Sequence, residues 1–200
     1  MGKSKEFLRN QILIKRKNFS KSNKYIPISK KISKNIISYL EDEKLHTRYV
    51  NSIDDKIIIG IYHPIFGEVF LEKQFFSKFH LALPRIIEKN DNNSEIEFAS
   101  ISNTQDTQIS KLGITEPSIQ ELSIIPDIIL TPAVAVDEFC NRIGYGKGYF
   151  DKYFKKVRKN NKNLLTIAVA FDFQLVYKIN SEPHDEKVDL IITESKIIKK

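Results

Sequence analysis

Apolar residues recur at helical spacing near the start of the chain. Phe7, Leu8, Ile12 and Phe19 predict an amphipathic helix over 5–19, with Ser4 as its N-cap. A loop with Ser20, Ser22 and Pro27 follows, and Ile32, Ile36, Ile37 and Leu40 predict a second helix over 29–43. Then the period changes. Ile57 to Tyr62 is a nearly continuous apolar run, the pattern of a strand covered on both faces. Residues 67–78 read as helical, Phe79–Ile87 as a strand, Asn90–Asn93 as a turn and Glu95–Ile101 as an antiparallel strand. Residues 102–122, with Gly113 and Pro117, read as irregular. Asp127–Leu130 reads as a buried strand, and Tyr149, Phe150, Tyr153, Phe154 and Val157 form a helical stripe. Leu164–Phe171 is a further strand, 172–179 a short connection or helix, and Val188–Ile192 the final strand. Strands alternating with helices predict an α/β layered fold with a largely parallel sheet.

Composition narrows the class. The 200 residues suit one domain, 1–200, with a sizeable core. Hydrophobic content of 41% and charged content of 28% are those of an ordinary globular protein, and no apolar run reaches membrane-span length, so no membrane partner is expected. The charged start, without an apolar segment behind it, does not read as a signal peptide, and the single cysteine, Cys140, allows no intrachain disulfide. A cytoplasmic monomer is expected. The net charge of +7 is uneven: residues 1–31 hold ten Lys and Arg against Glu6 alone, a local +9, which leaves −2 for the rest. These lysines fit a solvated surface, or a funnel for an anionic ligand.

The chemistry concentrates in Arg142-Ile143-Gly144-Tyr145-Gly146-Lys147-Gly148-Tyr149-Phe150-Asp151. Glycines at alternate positions let backbone turn tightly against a ligand. The next helix begins near Gly148, so its free N–H groups and dipole favour an anion there. Arg142 and Lys147 add positive charge. Asp151, beside such a pocket, suits Mg²⁺, which takes one or two carboxylates plus phosphate oxygens. An aspartate in a first helical turn is also favoured by the dipole alone, and Gly-x-Gly turns are common, so the residues leave both readings open. The loop is neither a Walker A motif nor a dinucleotide fingerprint.

The stretch from Asp137 through Arg142 to Asp151 resembles the signature of the 5-formyltetrahydrofolate cyclo-ligase (methenyltetrahydrofolate synthetase) family. Lys5-Glu6-Phe7-Leu8-Arg9, Gly67-Glu68-Val69, Leu83-Pro84-Arg85, Glu116-Pro117, Ala168 to Gln174 and His184-Asp185-x-x-Val188-Asp189 resemble further landmarks of that family in the same order. The resemblance implies a three-layer Rossmann-like sandwich with a mostly parallel central sheet, of the sugar-phosphate isomerase and CoA-transferase type. It also implies an ATP- and Mg²⁺-dependent closure of 5-formyltetrahydrofolate to 5,10-methenyltetrahydrofolate, with release of ADP and phosphate. Both nucleophiles belong to the substrate, so catalysis is positioning and charge stabilisation, without a Ser-His or Cys-His pair.

By the same resemblance, Lys5, Glu6, Phe7, Leu8 and Arg9 together with Arg142, Ile143, Gly144, Tyr145, Gly146, Lys147, Gly148, Tyr149 and Phe150 would bind ATP. Asp151 and Asp189 would hold Mg²⁺. Tyr62, His63, Glu68 and residues 145–149 would contact the folate, with Glu68, Arg142 and Lys147 catalytic. Tyr62 is equally well a core aromatic; His184 and Asp185 read as supporting groups. Asp189 sits in an apolar run, where an unpaired carboxylate is costly. A polyglutamylated folate is strongly anionic, and the N-terminal lysines would steer it. Two departures from the family stand out: Cys140 replaces a glycine, and Phe70-Leu71 replaces Asp-Thr after Glu68-Val69. Two other classes compete. A nucleic-acid binder would use the basic N-terminus, but no nucleic-acid motif is present, so no nucleic acid is expected as partner. A different Rossmann-like enzyme would turn the loop to another phosphate and need no ATP.

Overall fold

The computed structural model describes residues 4–41, 56–90, 93–101, 107–110 and 113–200. Helices α1 (Lys5–Phe19) and α2 (Tyr25–Leu40) come first. The Ser4 hydroxyl accepts the Phe7 N–H at 3.2 Å and caps α1. Helix α2 starts before residue 29, because Pro27 falls in its first turn, where no N–H is needed; residues 42 and 43 of the expected helix lie outside the described residues. The strands are β1 (Ile58–Gly60), β2 (His80–Asn90), β3 (Asn93–Ser100), β4 (Thr107–Ile109), β5 (Thr115–Pro117), β6 (Ser123–Ile124), β7 (Ile128–Pro132), β8 (Ala135–Asp137), β9 (Arg142–Ile143), β10 (Leu165–Val169), β11 (Leu175–Val176), β12 (Leu190–Ile192) and β13 (Ile197–Lys199), with helix α3 (Tyr149–Arg158) between β9 and β10.

The main sheet has eight strands in the order β13-β12-β10-β7-β1-β2-β3-β6. Strands β12, β10, β7, β1 and β2 run parallel. At the edges β13 joins β12, and β3 joins β2, in antiparallel pairing. Successive side chains point to opposite faces, and both faces are covered. Ile59, Leu83, Ile128, Leu130 and Ile167 meet Ile32, Ile36 and Leu40 of α2 in one core. Ile58, Ala82, Ile129, Ala168 and Ile191 meet Tyr153, Phe154 and Val157 of α3 in another. A third core docks Leu8 and Ile12 of α1 against Val134, Ala135 and Ile143. The result is a mixed α/β fold with a large, mostly parallel sheet.

Strand β2 follows β1 on one side, while β7 lies on the other. The order therefore reverses at β1–β7, and the crevice beyond the carboxyl ends of such strands is where open sheets bind ligands. Three expectations need correction. Residues 67–78 hold only a 3₁₀ turn at Lys73–Phe76, because Phe66 and Gly67 both take positive φ and Val69 and Leu71 are drawn into the core in irregular backbone. The irregular stretch contains a hairpin, β4 with β5. Strand β12 is not the last, since β13 pairs with it. Asn90 pairs with Asn93 across the expected turn, whose residues 91 and 92 lie outside the described residues.

Helix α3 is held by its buried stripe rather than by its charged face. Phe154 is fully buried, whereas Lys152 is exposed. Phe154→Ala is expected to lower unfolding free energy by about 3–5 kcal/mol in denaturant titration, and Lys152→Ala to change it by less than about 0.5 kcal/mol.

Candidate active site

A cavity of about 490 Å³ opens beyond the carboxyl ends of β1 and β7. The turn after β1 supplies Tyr62, His63 and Glu68 to one wall. Arg142 to Asp151 form the opposite wall, and Lys5 and Arg9 reach in from α1. Pro84, Arg85, Ile86, Ile96, Ile114 and Glu116 close the far end.

The glycine loop is shaped from below by Asp137. Its carboxylate is fully buried and accepts the N–H groups of Phe139 and Asn141 at 3.0 Å, the Asn141 amide at 2.9 Å and the Ile179 N–H at 2.7 Å. Within this turn Cys140 has φ 61°, a left-handed conformation that favours glycine. The turn is thus built as a glycine would build it, and the thiol fills core space. Gly148, at φ 66°, is the residue before α3 and brings no capping side chain, so the first N–H groups of α3 face the loop. Arg9 Nε donates to the Gly144 carbonyl at 2.9 Å and ties α1 to the loop. Arg142 is buried; its Nη2 donates to Asp151 Oδ1 at 2.8 Å, and its Nε has no partner among the described residues. Tyr149 shares a 2.9 Å hydrogen bond with Ser94.

Glu68 forms the other pole. Its Oε2 accepts the Ile65 N–H at 2.9 Å, while the buried Oε1 has no hydrogen-bond partner among the described residues. Burial raises the carboxyl to about 7, against the opposing pull of the Ile65 N–H and the Arg16 charge. Gly67 beside it is at φ 76°, and a Cβ there would lie 2.8 Å from Ser20 Cβ. Tyr62 donates to the Val69 carbonyl at 2.9 Å, and burial together with the Glu68 charge raises its hydroxyl well above the ordinary tyrosine range. Burial and Lys73 lower the His63 imidazole.

Not every expected site residue reaches this cavity. Of residues 5–9, only Lys5 and Arg9 line it, since they share one face of α1. Leu8 is buried in the third core; Glu6 and Phe7 face solvent. Lys5 is held by Glu182 at 2.7 Å and Asp185 at 2.5 Å, and His184 and Asp185 line the cavity's edge. Asp189 does not join Asp151 on the wall. It lies just before β12, at the amino end of the strands, where Thr166 N–H, Thr166 hydroxyl and Arg158 satisfy Oδ2 at 2.9, 2.7 and 3.1 Å. Asp151 uses Oδ1 for Arg142 and the Glu186 N–H, and Oδ2 makes no hydrogen bond among the described residues. Asp151 thus keeps one carboxylate oxygen open on the cavity wall, whereas Asp189 does not line the cavity. Sequence reasoning gave no role to Arg16, Arg85 or Glu116. The first continues the buried spacing of Leu8 and Ile12 and could have been found from that stripe. Arg85 pairs with Glu97 at 2.5 Å, and Glu116 accepts the Ile86 N–H at 3.3 Å.

The model of the 5-formyltetrahydrofolate cyclo-ligase family matches residues 1–194. The chain belongs to this family. The 5-formyltetrahydrofolate cyclo-ligase of Mus musculus is 26% identical over 156 residues, 74% of this chain and 77% of that protein. A probable cyclo-ligase of Schizosaccharomyces pombe is 30% identical over 109 residues, and the match spans about half of each chain, 48% and 53%. Among solved structures, the 5,10-methenyltetrahydrofolate synthetase of Aquifex aeolicus superposes with a TM-score of 0.76 at 27% identity, covering 98% of this chain and 92% of that one. The Mycoplasma pneumoniae synthetase, at 24% identity and a TM-score of 0.71 over 96% of this chain and 99% of that one, shares the fold. In this cyclo-ligase-family chain the glycine loop rests on Asp137. Asp137→Ala strands four donors and is expected to lower stability by about 3 kcal/mol or more in thermal or denaturant unfolding.

Proposed function

We propose that the chain closes the ring of 5-formyltetrahydrofolate to give 5,10-methenyltetrahydrofolate, ADP and phosphate, using ATP and Mg²⁺. The observation that carries this reading is one cavity with two unlike poles. One pole is cationic and rich in backbone N–H groups; the other is a buried carboxyl with an open oxygen. Helices on both faces of the parallel sheet favour the three-layer Rossmann-like type.

In this reading Arg9, Arg142, Lys147 and the amides at the start of α3 hold the triphosphate. Mg²⁺ at Asp151 neutralises phosphate charge when bound. Binding there exchanges partners, since Arg142 and Asp151 hold each other without ligand. The formyl oxygen attacks the γ-phosphorus and ADP leaves. N10 then adds to the activated carbon and loses its proton, and the carbon–oxygen bond breaks as phosphate departs. Glu68 accepts the N10 proton. A carboxyl near 7 suits that task at neutral pH. Tyr145, in edge contact with Phe66 at 5.8 Å, flanks the folate.

The direct test follows the near-ultraviolet absorbance of the methenyl product with protein, 5-formyltetrahydrofolate and Mg-ATP; folded protein without an ATP-dependent rise refutes the assignment. Because Glu68 must start as the carboxylate, kcat/KM is expected to fall as pH drops through about 7. Glu68→Gln should lose that limb and roughly 10²–10⁴-fold in turnover. Asp151→Asn should fold yet lose Mg²⁺-dependent turnover, and wild-type activity in it would remove Asp151 from the metal site.

A further inference from the structure

We propose that Arg16 is a positioning residue for Glu68 and Tyr145: it joins the two loops that meet across the cavity and holds a fixed positive charge behind the Glu68 carboxyl. The inference rests on the role given to Glu68 above. Arg16 is fully buried on α1 and does not line the cavity. A guanidinium out of water needs its donors met. Its Nε donates to the Phe66 carbonyl at 3.0 Å, in the turn that carries Glu68. Its Nη1 donates to the Ala133 carbonyl at 3.1 Å, just past β7. Its Nη2 donates to the Tyr145 hydroxyl in the glycine loop. One planar fork therefore spans both sides of the point where strand order reverses, which a lysine could not do. The Ala133 carbonyl is shared with Gln174 Nε2 at 2.6 Å, so the anchor is itself braced.

No carboxylate among the described residues lies within ion-pair distance of Arg16, and its charge acts instead on Glu68 and on the tyrosines around it. Tyr25 donates to the Glu68 carbonyl at 2.6 Å, and Tyr62 and Tyr145 complete the shell. Arg16 opposes the rise that burial imposes on Glu68. Removing the charge moves Glu68 further up, so the carboxylate form is reached only at higher pH.

The test compares wild type with Arg16→Gln and Arg16→Lys. The Glu68 carboxyl is titrated by carbon-13 NMR in unliganded protein, with Glu68→Gln identifying its signal, and kcat/KM for 5-formyltetrahydrofolate is measured against pH. In Arg16→Gln the Glu68 midpoint and the acid limb should both move up by about one pH unit, which lowers turnover at pH 7 by roughly fivefold. In Arg16→Lys the charge remains, so the midpoint stays near wild type while kcat falls through loss of the fork. A folded Arg16→Gln with both curves on the wild-type ones overturns the proposal. If Arg16→Gln does not fold, wild-type kcat in Arg16→Lys overturns it. A wild type without ATP-dependent turnover refutes the assigned reaction and not the coupling, which the carboxyl titration reads alone.

Discussion

A strand buried on both faces has no room for unpaired polar side chains, and this constraint shapes the molecule. Along β1, β7, β10 and β12 most residues belong to one core or the other. Polar chemistry is displaced to the strand ends. At the carboxyl ends the chain leaves the sheet in turns, and there Glu68, the Asp137-supported loop and the start of α3 converge. At the amino ends the polar groups are consumed structurally, as Asp189 is by Thr166 and Arg158.

Several of the charges around the cavity are held in ion pairs within the protein. Lys5 rests on Glu182 and Asp185, Arg142 on Asp151, and Arg85 on Glu97. Such pairing keeps half-buried charges tolerable without a ligand, and makes ligand binding an exchange of partners rather than a gain of new ones. Glu68 stands outside these pairs, as Arg9 and Lys147 do among the described residues. Its Oε1 has no hydrogen-bond partner among the described residues, and the rise that burial imposes is opposed by the Ile65 N–H, by Arg16 and by Tyr145.

Much of this was legible in the sequence because it was written in spacing. The stripes of α1, α2 and α3 and the apolar runs of β1, β7 and β10 follow from period alone. The glycine loop showed itself through glycine content and flanking charge. What stayed hidden depended on contacts between distant segments. Arg16 reads as one of many N-terminal basic residues until its donors are traced to residues 50, 117 and 129 positions away. Asp189 misled for the complementary reason: a carboxylate in an apolar run does demand a partner, but Thr166 and Arg158 meet that demand without a metal. The helix expected over 67–78 failed because Phe66 and Gly67 turn the chain at positive φ before a helical period can start.

Cys140 carries a consequence beyond packing. It is the sole cysteine, it is fully buried, and burial together with nearby Asp137 pushes its thiol upward. A neutral thiol shut in the core reacts with alkylating reagents only when the structure around it opens. Its own backbone is fastened on both sides, to the Asp137 carbonyl at 3.0 Å and to the Val188 N–H at 3.1 Å. The protein therefore holds a built-in chemical clock: the labelling rate of one sulfur records how often the base of the glycine loop breathes.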